Sequence, residues 1–189
     1  MTEESRRSLG DRWVTWGRSG EAERIRSILA LPPDGSLLDV GGRTGAFTAR
    51  IAPSRGNVVI LEPDERSRRA GARRHPEFRF VEGQGEHLPF PDGCFDRVAA
   101  IRSTHHMGSP AEFLREAHRV LRDGGGIVLE ELAPRSGLAR LFGALAHRHD
   151  HARLDFRAPD DWTAALRSAG FRDVRSTGES RWYLVAGRR

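Results

Sequence analysis

Hydrophobic positions along the chain change period repeatedly, from helical spacing to short unbroken apolar runs and back. Residues 21–31 place Ile25, Ile28 and Leu29 on one helical face and stop at Pro32-Pro33, which cannot continue a helix. Ser36–Val40 is a short strand running into Gly41-Gly42, and residues 44–52 are predicted as a helix ended by Pro53. Residues 57–62 (NVVILE) form a nearly continuous apolar strand, the pattern of one buried on both faces. A helix is predicted over 64–75, with Asp64 as its N-cap. Strands follow at 78–82 and Phe95–Ile101, separated by a polar, glycine-containing stretch. Residues 109–121 read as a helix closed by Gly124-Gly125-Gly126, and 127–131 as the next strand. Helices are predicted over 136–149 and 159–169, the second capped by Gly170. Residues 171–176 and 182–186 form a closing antiparallel hairpin.

This alternation predicts an α/β fold: a doubly wound, seven-stranded, mostly parallel sheet with right-handed crossovers, ending in an antiparallel hairpin. Ligands in such sheets bind beyond the carboxyl ends of the strands, near the switch point in strand order. The tips that matter follow Val40, Glu62, Glu82, Ile101 and Glu131. With no repeat and no low-complexity linker, the 189 residues are expected to make a single domain.

Composition narrows the setting. Charged residues at 30% and hydrophobic residues at 38% suit a globular protein. No apolar run approaches the roughly 20 residues that span a bilayer. The first residues, MTEESRRSLGDRW, lack the apolar core of a secretory signal, so a cytoplasmic location is expected. The net charge of +5 invites a nucleic-acid reading, but all 31 basic residues are arginines interspersed with Asp and Glu. The densest group (Arg66, Arg68, Arg69, Arg73 and Arg74) reads as the solvated face of one helix, so no nucleic-acid partner is expected. The single cysteine, Cys94, rules out an intramolecular disulfide and a Cys-based zinc site, and reads as a small half-buried residue.

The candidate chemistry starts at Asp39-Val-Gly-Gly-Arg-Thr-Gly45, a glycine turn between strand and helix, where the backbone can approach a ligand closely. Glu62 closes the second strand, where a carboxylate can accept from both hydroxyls of a ribose. A dinucleotide site shares this logic, but its G-x-G-x-x-G glycines make room for a pyrophosphate. Here Gly41, Gly42 and Gly45 follow an acidic Asp39, which repels a pyrophosphate and suits a ligand bearing an ammonium.

Four blocks in order, LLDVGGRTGAFT, VVILEPD, EGQGEHLPFPDGCFDRV and REAHRVLRDGGGIVLEE, resemble the class I S-adenosylmethionine (SAM) dependent methyltransferases of the type-11 group, which includes ubiquinone and menaquinone biosynthesis enzymes. The resemblance covers residues 37–131 strongly and the rest through element order. It implies a Rossmann-like SAM methyltransferase fold, SAM as cofactor and methyl transfer to a small-molecule O, N or C acceptor. Asp39, Gly41, Gly42 and Gly45 would then frame the methionine part of SAM, with Arg43 beside it. Glu62 would hold the ribose, Pro63 or Asp64 would lie against the adenine, and Gln84 with Gly85 would meet its edge. Ile101 and Arg102 would line the floor. The family inserts a substrate cap after its fifth strand, here a short one around 132–158, and N-terminal helices fall within 1–31.

Two positions depart from the family pattern. Gln84 stands where an acid is usual, and its amide can still accept from the adenine amino group. Arg43 stands where glycine is usual; its Cβ restricts close approach, and its guanidinium reaches for the cofactor's carboxylate or fills part of its site. His105 and His106, just past the fourth strand, are the candidate catalytic bases. His147, His149, Asp150 and His151 have no identifiable third metal partner, so they read as acceptor-pocket residues, and no metal is assigned. Trp13 and Trp16 either close over the site or pack the first helix.

Several acceptor classes drop out. The [N/D]-P-P-[Y/F/W] motif for amino methylation of bases is absent, a lysine-dependent ribose site cannot exist without lysine, and arsenite methylation needs several cysteines. Two alternatives stay open: a non-catalytic SAM-fold binding or regulatory protein, and an RNA or protein methyltransferase. The acceptor's identity and the oligomeric state are not encoded in any spacing here.

Overall fold

The computed structural model describes residues 19–52, 57–134, 137, 155–179 and 182–189. The chain forms β1 (Ser36–Val40), β2 (Asn57–Leu61), β3 (Arg79–Val81), β4 (Phe95–Ile101), β5 (Leu121–Leu132), β6 (Arg172–Glu179) and β7 (Trp182–Arg188). Its helices are α1 (Ser19–Leu29), α2 (Thr48–Ile51), α3 (Glu65–Arg74), α4 (Pro110–Val120) and α5 (Pro159–Ser168). A 3-10 turn at Thr104–His106 follows β4.

The seven strands make one sheet in the order β3-β2-β1-β4-β5-β7-β6. The first four pairings, from β3 across to β5, are parallel, and β7 enters antiparallel between β5 and β6. The order reverses between β1 and β4, so the tips of those two strands flank the switch point.

Alternate strand residues serve opposite faces, as the pleat requires. Leu38, Val98, Leu129 and Val185 join Phe113, Leu114, Trp162 and Leu166 in the core beneath α4 and α5. Their neighbours Leu37, Ala99, Val128 and Leu184 join Ile25, Leu29 and Ile51 on the other face, beneath α1 and α2. Both faces are buried, which explains the unbroken apolar runs in the sequence.

α1 is tied to the sheet through its C-terminus. Ala30 takes a left-handed φ of 43°. The buried guanidinium of Arg97 then donates from Nε to the Leu29 carbonyl at 2.5 Å and from Nη2 to Ala30 O at 2.9 Å. A cation at the end of a helix satisfies its last carbonyls and its dipole together.

Two sequence expectations change. The helix expected over 44–52 is only the single turn Thr48–Ile51. Arg43 and Gly45 hold φ of 54° and 75°, and left-handed residues cannot continue a right-handed helix. The strand expected at 127–131 instead runs Leu121–Leu132, with a register shift opposite Phe95 and Arg97 that absorbs the glycine run. Apart from Gly137, the helix expected over 136–149 lies outside the described residues, as do Pro53, Trp13, Trp16, His147, His149, Asp150, His151, most of the cap and the first part of the N-terminal segment. Among the described residues no helix is long and apolar enough to cross a membrane.

Candidate functional site

The tips of β1 and β4 meet at the switch point with no room to spare. A Cβ on Gly41, whose φ is 76°, would stand 2.4 Å from the Cβ of Ser103, so only glycine fits. Ser103 seals the contact by donating its hydroxyl to Val40 O at 2.6 Å. The glycine turn therefore lies directly beside the segment that carries His105 and His106.

Two buried carboxylates stand behind this turn. Asp39 accepts from the Thr48 hydroxyl at 2.6 Å. Its carboxyl is pushed up to about 6, chiefly by burial, with Thr48 pulling it down and the charge of Glu62 pushing it further up. Glu62 accepts from the Arg43 N–H at Oε2, at 3.1 Å, and from the Asp64 N–H at Oε1, at 3.0 Å. A carboxylate has about four lone-pair sites. These two bonds fix its plane and leave capacity for two further hydroxyl donors.

The neighbouring tips are braced by Arg68, which was not among the expected site residues. Its Nη1 donates to Glu62 O at 2.8 Å and to Pro63 O at 2.7 Å, and its Nη2 pairs with Glu82. Pro63 and Asp64 are exposed beyond them, and Asp64 also caps α3 by accepting from Ser67 N at 2.8 Å. Gln84 is exposed and bridges to His87, while Gly85 is buried against Met107 and Phe113. Glu86 accepts from Gly108 N at 2.6 Å and ties this loop to the start of α4.

Arg102 and Ile101 part company. Ile101 is half-buried against the α1-side core. Arg102 has φ of 55°, and its side chain turns to Glu130 at 3.1 Å and Glu21 at 2.7 Å while stacking 3.3 Å over the Trp182 ring. It clamps β4 to β5, β7 and α1.

On the far side of the turn, Glu131 is fully buried at the end of β5 and gathers donors from three neighbours. It accepts from the Thr104 hydroxyl at 2.7 Å, from His105 N at 3.2 Å and from Leu132 N at 2.8 Å. Its Oε2 also lies 2.9 Å from His105 Nδ1. The His105 ring makes tilted contacts with His106, at 4.2 Å between centroids, and with Phe156, at 4.8 Å. His106 is exposed, and its pKa is lowered by desolvation, then by His105 and Arg43, against an opposing pull from Glu131. Neutral imidazole is therefore its form near pH 7.

The sequence expectations thus converge on one edge: Asp39, the glycine turn, Glu62, Pro63, Asp64, Gln84, Gly85 and the histidine pair share it, while the Arg102 side chain leaves it for the clamp. Glu131 was expected only as a strand tip, and Arg68, expected on the solvated face of its helix, instead turns in, with its side chain only 14% exposed. A signal for Glu131 existed, because consecutive glutamates in the apolar run GIVLEEL put at least one carboxylate inside the fold.

Residues 38–129 match the family model for a methyltransferase domain. The chain is 31% identical over 148 residues to the 2-methyl-6-phytyl-1,4-hydroquinone methyltransferase of Arabidopsis thaliana, covering 76% of this chain and 42% of that protein. It is 36% identical over 163 residues to an uncharacterized methyltransferase of Mycobacterium sp. (strain KMS), covering 82% and 65%. The chain spans less than half the length of the first curated relatives it matches. A solved SAM-dependent methyltransferase from Thermotoga maritima superposes with a TM-score of 0.77 at 20% identity, covering 96% of this chain and 94% of that one, a likeness of fold.

Proposed function

We propose that this chain, whose residues 38–129 match a methyltransferase-domain model, is a class I SAM-dependent methyltransferase of the type-11 group that transfers the methyl group of SAM to an O, N or C atom of a small molecule. The domain type implies SAM as cofactor. The observation that carries the proposal is Glu62: a buried carboxylate at the tip of β2, held by one N–H on each oxygen and still able to accept two hydroxyls. A ribose presents that pair of donors. Asp39, Gly41, Gly42 and Gly45 surround the amino-acid part of the cofactor, and Pro63, Asp64, Gln84 and Gly85 the adenine. Ile101 supplies apolar floor.

SAM supplies an activated methyl on a sulfonium, so the protein's task is alignment and, for hydroxyl or carbon acceptors, removal of a proton. His106 is the group placed to take it, being exposed and neutral near pH 7. His105 is the orienting partner, locked by Glu131 through Nδ1 and in tilted ring contact with His106. The named relative acts on a hydroquinone, which supports a small aromatic acceptor. The proposal includes a single domain across the chain, a cytoplasmic setting and no nucleic-acid partner.

Calorimetric titration with SAM and S-adenosylhomocysteine tests it. Micromolar binding, weakened at least tenfold in Glu62→Ala, is the expected result; no binding at millimolar ligand would sink the enzyme assignment. Binding without turnover on any phenol, hydroquinone or amine acceptor would favour the second reading, a non-catalytic SAM-fold protein, which rests on Arg43 in the glycine turn.

A further inference from the structure

Two arginines flank the site in the same strained backbone. Arg43 at the tip of β1 has φ of 54° and Arg102 at the tip of β4 has φ of 55°. The left-handed region is costly for any residue with a Cβ, and such outliers persist where something compensates them. For Arg102 the compensation lies within the fold, in Glu130, Glu21 and Trp182. For Arg43 the backbone has a purpose, since its N–H holds Glu62, but glycine would serve that equally well.

The Arg43 side chain has no such partner. It is exposed, and among the described residues its guanidinium makes no ion pair, although Asp39 and Glu62 stand just behind the turn. Gly41 abuts Ser103, so the turn carrying Arg43 lies against the segment carrying His106. Arg43 is close enough to help lower the His106 pKa. Its charge is thus felt at the histidine side of the site, and its N–H faces the Glu62 carboxylate.

We propose that Arg43 is a specificity residue that binds an acidic group, a carboxylate or its equivalent, on the methyl acceptor. The assignment rests on the methyltransferase reading given above. A guanidinium pairs with a carboxylate through two parallel N–H donors, a geometry that glutamine and lysine cannot reproduce. The acceptor is then a small molecule with an ionised acid beside the hydroxyl, amine or carbon that takes the methyl, and His106 stands next to that atom. The cofactor also carries a carboxylate, so the test must separate the two sources.

Arg43→Gln and Arg43→Gly are compared with the unaltered chain; glycine keeps the turn because it favours positive φ. Binding of S-adenosylhomocysteine and of 5′-methylthioadenosine, which lacks the amino-acid group, is measured by calorimetry. Methyl transfer is then measured with 4-hydroxybenzoate and its neutral analogue 4-hydroxybenzamide as probe acceptors. The expected result is unchanged binding of both cofactor analogues, with the unaltered chain preferring the acid at least tenfold in kcat/KM and both variants losing that preference. Loss of S-adenosylhomocysteine affinity with 5′-methylthioadenosine unaffected would move the guanidinium to the cofactor and overturn the assignment. So would a preference for the acid that survives in both variants, or no preference in the unaltered chain. Failure of the unaltered chain to bind either analogue would instead remove the methyltransferase reading, and this assignment with it.

Discussion

The Nδ1 atom of His105 lies 2.9 Å from Glu131 Oε2, across 26 residues of chain, and that carboxylate has no exposure to solvent. With Nδ1 held, the ring orientation is fixed, and the His106 ring packs against it, tilted, at 4.2 Å between centroids. Glu131→Gln keeps the shape and removes the charge. The charge of Glu131 raises the His106 pKa against the groups that lower it, so its loss lowers that pKa further. A base must be neutral to act, so the acid limb of the kcat profile should move to lower pH, with kcat reduced about tenfold. S-adenosylhomocysteine affinity should be unchanged. A purely structural role would lower the melting temperature and leave the pH limb in place.

Asp39 makes a prediction about stability of unusual sign. Its folded pKa of about 6 lies above the ordinary 3.8, so the folded protein binds an extra proton between those values. The stability it contributes is present below about pH 4 and lost as pH rises through about 6. Two units correspond to roughly 3 kcal/mol, a cost that the proposed pairing of Asp39 with the cofactor's ammonium would offset. Asp39→Asn keeps an oxygen for Thr48 and removes the charge. It should raise the melting temperature at pH 7.5 by several degrees, have little effect at pH 4, and weaken SAM binding. An equal gain at both pH values would show that the burial cost is not the cause.

The fold was legible because it rests on local patterns: apolar runs where both sheet faces are covered, and Pro32-Pro33 and Gly170 where helices stop. The candidate site was legible where residues sit in one turn or one strand tip. The misses share a physical cause. The shortened α2 follows from left-handed φ at Arg43, which an arginine does not advertise. The Glu131 to His105 contact depends on the register that sets Ile101 opposite Glu130, and no spacing within one segment encodes it. Arg102 reads as a pocket residue from its strand end, yet its partners arrive from α1, β5 and β7.

Arg97 offers a check on how α1 is held. Its guanidinium also donates from Nη1 to the Asp96 carbonyl at 2.7 Å, so three carbonyls depend on one buried cation. Arg97→Met preserves the apolar stem and removes every donor. Charge-assisted bonds contribute about 1.5–3 kcal/mol, and carbonyls left without partners add to the loss. A fall of about 3 kcal/mol is expected in urea unfolding, with the cofactor site unaffected because Arg97 lies away from the strand tips. A loss below about 1 kcal/mol would mean that water replaces the guanidinium at the helix end.

The backbone at Arg43 separates strain from charge. A φ of 54° costs a residue with a Cβ roughly 1–2 kcal/mol relative to glycine. Glycine returns about 0.5–1 kcal/mol of that through the greater freedom of its unfolded chain. Arg43→Gly should therefore be more stable by about 0.5–1 kcal/mol, whereas Arg43→Ala, which keeps the Cβ, should gain nothing. In a domain of this size that is a rise of about 2 °C for the glycine variant alone. If alanine and glycine raised the melting temperature equally, the gain would come from removing a positive charge near His106, and the turn would not be strained at all.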